Sequence, residues 1–414
     1  MDSRTSAARR LGTLGISAML LSGLGGCGTQ APPKADESLV KQFAGRGYQT
    51  DEHFGIATTF SQWRVGEHQF DIAWTVPVAG NSLPLVIYLP GLGESRTAGE
   101  DWRTAWAQAG YAVLSLQLLE ADQHVWSSSE AKRGDFVGLA HERYAREASV
   151  ARLNALRTLL TELRERHESD AAPMRRIDLS RVALAGFDVG AYTAMRAAGE
   201  LPKDNEASIS LPIPIAAIIA LSPFADFSGS TFSSRYQAIA LPVLSISGDN
   251  DVDSYGIVSS SAVRKAPFDH MPSKDAYLLW LTNATHAALS GSAPGGAEPA
   301  GSRGDGQASR KGSSRHEGRR GGKGQPGAPD GSGDSGGSAG SDGSPDGGGD
   351  RPFGVGRPGG SATSPTQRAI STSLIQGVTT AYLDAYLKQD AIASEWLQRN
   401  ARRWIGEHGE LKRK

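Results

Sequence analysis

The stretch that most limits how this chain folds is Val182 to Met195, VALAGFDVGAYTAM. An apolar run without alternation fits a strand buried on both faces, and it passes through Gly186-Phe187-Asp188-Val189-Gly190 into a helix-forming segment. The two glycines are required because a strand that turns sharply into a helix brings backbone so close that side chains there collide. Such a turn pushes its central side chain, Asp188, out over the sheet edge at the amino end of a helix, where an anion or a developing oxyanion is favoured.

The rest of the chain supplies the sheet. Ala57 to Val65 and Gln69 to Val76 read as an antiparallel hairpin, and Leu83 to Leu89, LPLVIYL, is a second continuous apolar run, ended by Pro90-Gly91. A helix over Trp102 to Ala109 and a strand over Ala112 to Leu116 follow. Next comes a long helix from about Glu142 to Arg166, whose stripe is Val150, Leu153, Leu156, Leu160 and Leu163. Strands are expected at Val182 to Ala185, Ile215 to Leu221, Val243 to Ser247 and Tyr277 to Leu281. This alternation predicts an α/β fold with a mostly parallel central sheet flanked by helices, and reacting groups in loops at the carboxyl ends of the strands.

Composition changes abruptly after Leu289. Residues 290–366 are dominated by Gly, Ser, Pro, Asp and Arg, as in GSGDSGGSAGSDGSPDGGGD, and cannot bury enough apolar surface to offset chain entropy. This stretch is expected to be a disordered insertion. Arg303-Gly304-Asp305 within it is a chance occurrence in a segment rich in those residues. A helix over Ile370 to Leu397, with Leu374, Val378, Tyr382, Tyr386 and Leu387 on one face, makes residues 367–414 the completion of the domain begun at 51–289.

At the other end, Arg4, Arg9 and Arg10 precede an apolar stretch from Leu11 to Leu24 that is too short to span a bilayer and reads as a secretory signal over 1–26. Arg9-Arg10 followed by Leu-Gly-Thr is a poor twin-arginine signal. Leu24-Gly25-Gly26-Cys27 resembles the lipobox of bacterial lipoproteins, and Cys27 is the only cysteine. The resemblance implies cleavage before Cys27 and lipidation of it. It also implies a membrane anchor in the cell envelope; with Gly28 after the cysteine, the outer membrane facing the periplasm is the expected site. Residues 27–50 then read as a tether. A formal charge of −1 sets nucleic-acid binding aside, because such proteins carry a basic excess or stripe. No cluster has metal-ligand spacing, and no cofactor loop beyond the weak Gly91-x-Gly93 is present, so the expected partner is a small-molecule substrate.

Three further positions stand where a hydrolytic site at the sheet edge needs them. Pro90-Gly91-Leu92-Gly93-Glu94 follows the apolar strand and offers the backbone N–H of Leu92 which, with that of Val189, would face a reacting oxygen. Glu94 either points into the cleft, where it repels anions, or is solvated. Gly248-Asp249-Asn250-Asp251 closes the strand VLSIS, and Asp251 is favoured as the acid over Asp249, Asp253 and Asp226, although this composition also suits a plain turn. His286, after the strand AYLLWL, is the candidate base, ahead of His270.

The order Asp188, Asp251, His286 and the Gly-x-Asp-x-Gly turn resemble the α/β-hydrolase superfamily, in particular dienelactone hydrolases and platelet-activating-factor acetylhydrolases. The likeness covers roughly Ala57 to Leu289 plus the C-terminal helix. The resemblance implies the α/β-hydrolase fold and an enzyme that hydrolyses a small ester-like, epoxide or halide substrate. Those two groups use serine or cysteine at the turn. Aspartate is the nucleophile in haloalkane dehalogenases, fluoroacetate dehalogenases and epoxide hydrolases of the same superfamily, which implies an aspartyl-ester intermediate here. Those enzymes carry a helical cap where this chain has only the short connection Ser228 to Leu241, with Tyr236 its one tyrosine, so any lid comes from Glu120 to Leu139 or the insertion. Two other roles stay open for Asp188: N-cap of the helix in a catalytically silent scaffold that binds a ligand or an envelope partner, and general base acting through a water.

Overall fold

A computed structural model describes residues 34–118, 125–169, 173–203, 208–227, 229–272, 274–292 and 363–414. The expected signal segment, Cys27 and most of the 290–366 stretch lie outside the described residues.

Helix α1 (Glu37–Ala44) precedes the hairpin β1 (Ile56–Val65) and β2 (His68–Pro77). Then come β3 (Leu83–Leu89), α2 (Glu100–Gln108), β4 (Ala112–Leu118), α3 (Ser129–Lys132), α4 (Phe136–Tyr144) and α5 (Arg146–Glu168). The middle of the chain gives β5 (Ile177–Phe187), α6 (Val189–Ala197), β6 (Ala217–Leu221), α7 (Phe232–Tyr236) and β7 (Val243–Asn250). It closes with α8 (Ala266–His270), β8 (Ala276–Thr285), α9 (His286–Leu289), α10 (Pro365–Leu387), α11 (Ala391–Glu395), α12 (Ala401–Ile405) and β9 (Gly409–Arg413). The nine strands form one sheet in the order β1-β2-β4-β3-β5-β6-β7-β8-β9, in which β3 to β8 run parallel and β1, β2 and β9 pair antiparallel.

Burial explains the continuous apolar runs. Along β3, Leu83, Leu85, Ile87 and Leu89 enter the core on the side of α5 and α6, while Val86 and Tyr88 enter the core beneath α2 and α10. With both faces covered, alternation has no polar side to display. In α5 Leu153, Leu156, Leu160 and Leu163 of the expected stripe are buried, joined by Leu159, while Val150 is half-buried. The helix expected from about Glu142 is broken at Ala145, whose extended backbone (φ −60°, ψ 157°) ends α4 and starts α5.

At the two ends of the chain, two expectations change and one strand was not expected. Part of the tether expected over 27–50 is packed: α1 starts at the Asp36 cap, whose carboxylate accepts from Leu39 N at 3.0 Å, and Phe43 stacks on Trp404 with ring centroids 5.1 Å apart. The single helix expected over Ile370 to Leu397 ends at Leu387, because Gln389 turns left-handed (φ 57°) and Asp390 caps α11 by accepting from Ile392 N. The edge strand β9, GELKR, has one buried side chain, Leu411, and so no apolar pattern to reveal it.

The C-terminal helix is tied to the domain through Asp384, which is buried. Its carboxylate accepts from Tyr48 at 2.8 Å and Tyr111 at 2.6 Å and pairs with Lys388 at 2.7 Å, joining the α1 side, the start of β4 and α10. Asp384→Ala leaves two phenols and an ammonium without their shared acceptor. Urea denaturation should show a loss of about 3 kcal/mol; a loss below about 0.5 kcal/mol, the range of neutral surface changes, would mean that this junction does not hold α10.

Candidate active site

The turn between β5 and α6 sets the geometry. A Cβ on Gly190 would lie 2.0 Å from the Leu89 carbonyl oxygen, and one on Gly186 would lie 2.4 Å from the Gly190 carbonyl carbon. Neither position admits a side chain. Between them Asp188 adopts φ 56° and ψ −116°, a strained conformation held by hydrogen bonds from Asp188 N to Leu221 O and from Tyr192 N to Asp188 O, both 3.0 Å.

The Asp188 side chain makes no cap bond to α6, so it is not spent on the helix end. Its two oxygens have different neighbours. Oδ2 accepts from Leu92 N at 3.3 Å, whereas Oδ1 accepts from the Tyr144 hydroxyl and lies 3.7 Å from His286 Nε2. The Leu92 donor expected to face a substrate oxygen is therefore already engaged by the carboxylate itself. Val189, the first residue of α6, is buried, and its N–H is among the first-turn donors of that helix.

On its other side the His286 ring donates from Nδ1 to Asp251 Oδ1 at 2.8 Å. Asp251 is fully buried and also accepts from Ser222 Oγ and Ser247 Oγ, each at 2.7 Å, with Arg264 Nε 3.3 Å from Oδ2. Burial pushes its carboxyl up, but the His286 hydrogen bond and the Arg264 charge outweigh it and hold the group below the usual aspartate value. For His286, burial disfavours the charged ring; the Asp251 hydrogen bond and the charges of Asp188 and Asp251 outweigh it, so its pKa stands above the ordinary 6.5.

The structure thus brings Asp188, His286 and Asp251 into one line and leaves the competing candidates elsewhere. Asp249 is a turn residue, accepting from Trp280 Nε1 at 2.7 Å and Asn283 N at 3.2 Å. Asp253 accepts from Tyr255, Ile257 and Val258 N–H groups, and Asp226 pairs with Arg235 at 2.6 Å. His270 packs on Phe232, with ring centroids 5.6 Å apart. Tyr236 is sealed beside Arg235, and the phenol on Asp188 is Tyr144, from α4.

Tyr144, Ser222 and Arg264 escaped the sequence reading. Tyr144 lies over Phe224 (4.7 Å between ring centroids) and Tyr192 (6.1 Å), with Val189, Ile257, Val258 and Leu92 completing an apolar wall. Burial and the Asp188 charge push the Tyr144 phenol well above 10, so it remains a donor. Arg264 faces inward, donating to the carbonyls of Asp251, Ser222 and Pro223 at 2.9 to 3.0 Å. A cavity of about 30 Å³ behind the turn, lined by Pro90, Val189, Gly190 and Thr193, has room for about one water. A larger one of about 320 Å³, between α1, α2 and α10, shares no residue with the site.

Glu94 is half-buried rather than fully solvated, and its carboxylate accepts from Gly91 N at 2.9 Å. Burial, reinforced by the Asp188 charge and opposed by the Gly91 hydrogen bond, raises its pKa from 4.5 to about 7. A carboxyl raised on folding contributes stability that is complete below about pH 4.5 and is lost as the pH rises through about 7. Glu94→Gln removes that loss. Between pH 4.5 and pH 8.5 the stability of the variant relative to wild type should rise by about 1–2 kcal/mol, a value reduced for solvent screening. Chemical denaturation at the two pH values measures it, and parallel profiles would place Glu94 in water.

A scan against protein-family models and a search of curated proteins each return no match for this chain, so the reading of the site rests on its geometry.

Proposed function

We propose that this chain is a hydrolase of the α/β-hydrolase type that opens a neutral epoxide, halide or ester-like substrate through an aspartyl-ester intermediate on Asp188. The observation that carries this reading is the division of labour between the two Asp188 oxygens: Oδ2 is held by the Leu92 N–H, and Oδ1 faces His286. An ionised carboxylate needs no base to attack. Oδ1 forms a bond to an sp3 carbon, the bond from that carbon to the leaving group breaks, and the leaving group departs with the electron pair.

Esterification removes the negative charge of Asp188, one of the causes that raise the His286 pKa, and so favours the neutral ring, whose Nε2 is then free to accept a proton. His286 then takes a proton from water, and the hydroxide adds to the Asp188 carboxyl carbon. The oxyanion forms at Oδ2, beside the Leu92 N–H that already holds it. Collapse breaks the bond from the carboxyl carbon to the alkyl oxygen and returns the proton from His286 to the alcohol. The second proton of the water, left on the new carboxyl, passes to solvent, or to the Tyr144 phenolate where the phenol has protonated an oxygen leaving group, and the carboxylate is restored. Admission of substrate displaces the Tyr144 phenol from Oδ1, and the freed hydroxyl is available to protonate an oxygen leaving group.

The charge of the site favours uncharged substrates. Asp188 and Asp251 flank His286, and the Arg264 cation is committed to backbone carbonyls and to Asp251, so an anionic substrate meets repulsion. Anchoring to the envelope through a lipidated Cys27 remains part of the proposal and is supported by the sequence pattern alone; no described helix is long and apolar enough to cross a membrane.

His286→Gln should trap the first step. Intact-mass spectrometry of this variant, after incubation with a panel of small epoxides, haloalkanes and lactones, is expected to show a one-to-one covalent adduct on the peptide holding Asp188. Turnover should fall by roughly 10²- to 10⁴-fold. Asp188→Asn should give neither adduct nor turnover. Absence of an adduct across the panel, with reversible binding of a panel member kept in Asp188→Asn, would favour a silent scaffold that binds a ligand at the same cleft.

A further inference from the structure

Ser222 lies between β6 and Pro223 in a conformation that a serine adopts at a cost. Its φ of 53° falls in the left-handed region that favours glycine, and the following proline further restricts it toward extended backbone. The residue is completely buried. Its N–H donates to Ile246 O at 2.7 Å, and its carbonyl accepts from Arg264 Nη1 at 2.9 Å. Glycine would meet these backbone demands with less strain; what glycine lacks is the hydroxyl.

That hydroxyl closes a triangle. Ser222 Oγ is 2.7 Å from Asp251 Oδ1 and 2.8 Å from His286 Nδ1, and those two atoms are themselves 2.8 Å apart. A serine has one proton to give, and here it goes to the ionised Asp251 oxygen. Oγ therefore meets Nδ1 with a lone pair, and the contact is favourable only when Nδ1 carries the ring proton. Nδ1–H is then shared between Asp251 and Ser222, which leaves Nε2 bare on the side of Asp188. The hydroxyl is sealed from solvent and faces Nδ1 instead of Nε2, so it is not a substitute nucleophile.

We propose that Ser222 is a positioning residue: its hydroxyl fixes the His286 tautomer with the proton on Nδ1 and takes up part of the Asp251 charge, so that Nε2 is free to act as base. The inference rests on the reading of His286 as that base. The charged groups facing the ring are Asp251 on the Nδ1 side, Asp188 on the Nε2 side, Arg264 behind Asp251, and Glu94 from the loop after β3. Of the contacts to Nδ1, the Ser222 hydroxyl is the one that a small substitution removes without changing any formal charge.

The test is nitrogen NMR of the full chain with labelled histidine, on wild type, Ser222→Gly and Ser222→Ala, and it needs no substrate. Neutral His286 in wild type should be the Nδ1–H tautomer with a slowly exchanging proton. In both variants that proton should exchange faster. The titration midpoint of His286 should also move up by about 0.5–1 pH unit, as Asp251 offers the ring its whole charge. Ser222→Gly relieves the backbone strain and so keeps the fold if Ser222→Ala does not. An unchanged tautomer and midpoint, with only a change in unfolding midpoint, would overturn the proposal and make Ser222 a packing residue. If the panel of substrates shows no turnover while the NMR shifts appear, the positioning role stands and the hydrolase reading falls; where turnover exists, kcat should drop with KM held.

Discussion

The site depends on a close crossing of two backbones. The first turn of α6 passes over the end of β3 so tightly that the space a Cβ would need at Gly190 is filled by the Leu89 carbonyl. This contact fixes where α6 begins, forces the positive φ of Asp188, and brings the loop after β3 next to the turn, so that Leu92 N–H meets the carboxylate. Were the crossing wider by the width of a methyl group, Asp188 would relax toward an ordinary helix cap and the loop donor would lose its partner. The parallel sheet makes the crossing possible, because β3 and β5 are hydrogen-bonded neighbours that end at the same edge.

Charge is arranged around this crossing in a fixed order. Arg264 neutralises Asp251 from behind, Asp251 orients His286, and His286 presents Nε2 to Asp188. Along this line each charge has an opposite neighbour, which is the condition for keeping such groups ionised away from water. Glu94 is held by the Gly91 N–H, and burial together with the Asp188 charge raises its carboxyl. The resulting field favours a positive His286 while Asp188 is ionised. In the proposed reaction that bias is lost when Asp188 becomes an ester, and the ring would then act as base.

The fold was legible wherever burial alone determines the pattern. Runs such as LPLVIYL and VALAGF are apolar throughout because helices cover both faces of the sheet, and a reader needs no tertiary information to see that. The turn at Asp188 was legible because only glycine fits on either side of it. Among the acids, Asp249, Asp251 and Asp253 occupy one short stretch with the same composition, and only the fold separates the turn residues from the one that reaches His286. Tyr144 left no sign, since it comes from a helix whose approach to Asp188 is decided by packing on Tyr192 and Phe224. Ser222 looks like an ordinary strand end, and its role lies in a backbone angle that no composition reports. At the C-terminus, the break at Gln389 and the charged strand β9 run against local propensity and are set by packing and edge pairing.

The central claim is that Asp188 forms a covalent ester that water opens at the carboxyl carbon. Its most direct measurement is a single turnover in heavy-oxygen water with protein in excess over a substrate from the epoxide or haloalkane panel, followed by peptide mass spectrometry. A nucleophilic Asp188 predicts one heavy oxygen in the peptide that spans it and unlabelled alcohol as product. Heavy oxygen in the product alone, with the Asp188 peptide at its natural mass, would show that water attacks the substrate directly and would contradict the claim.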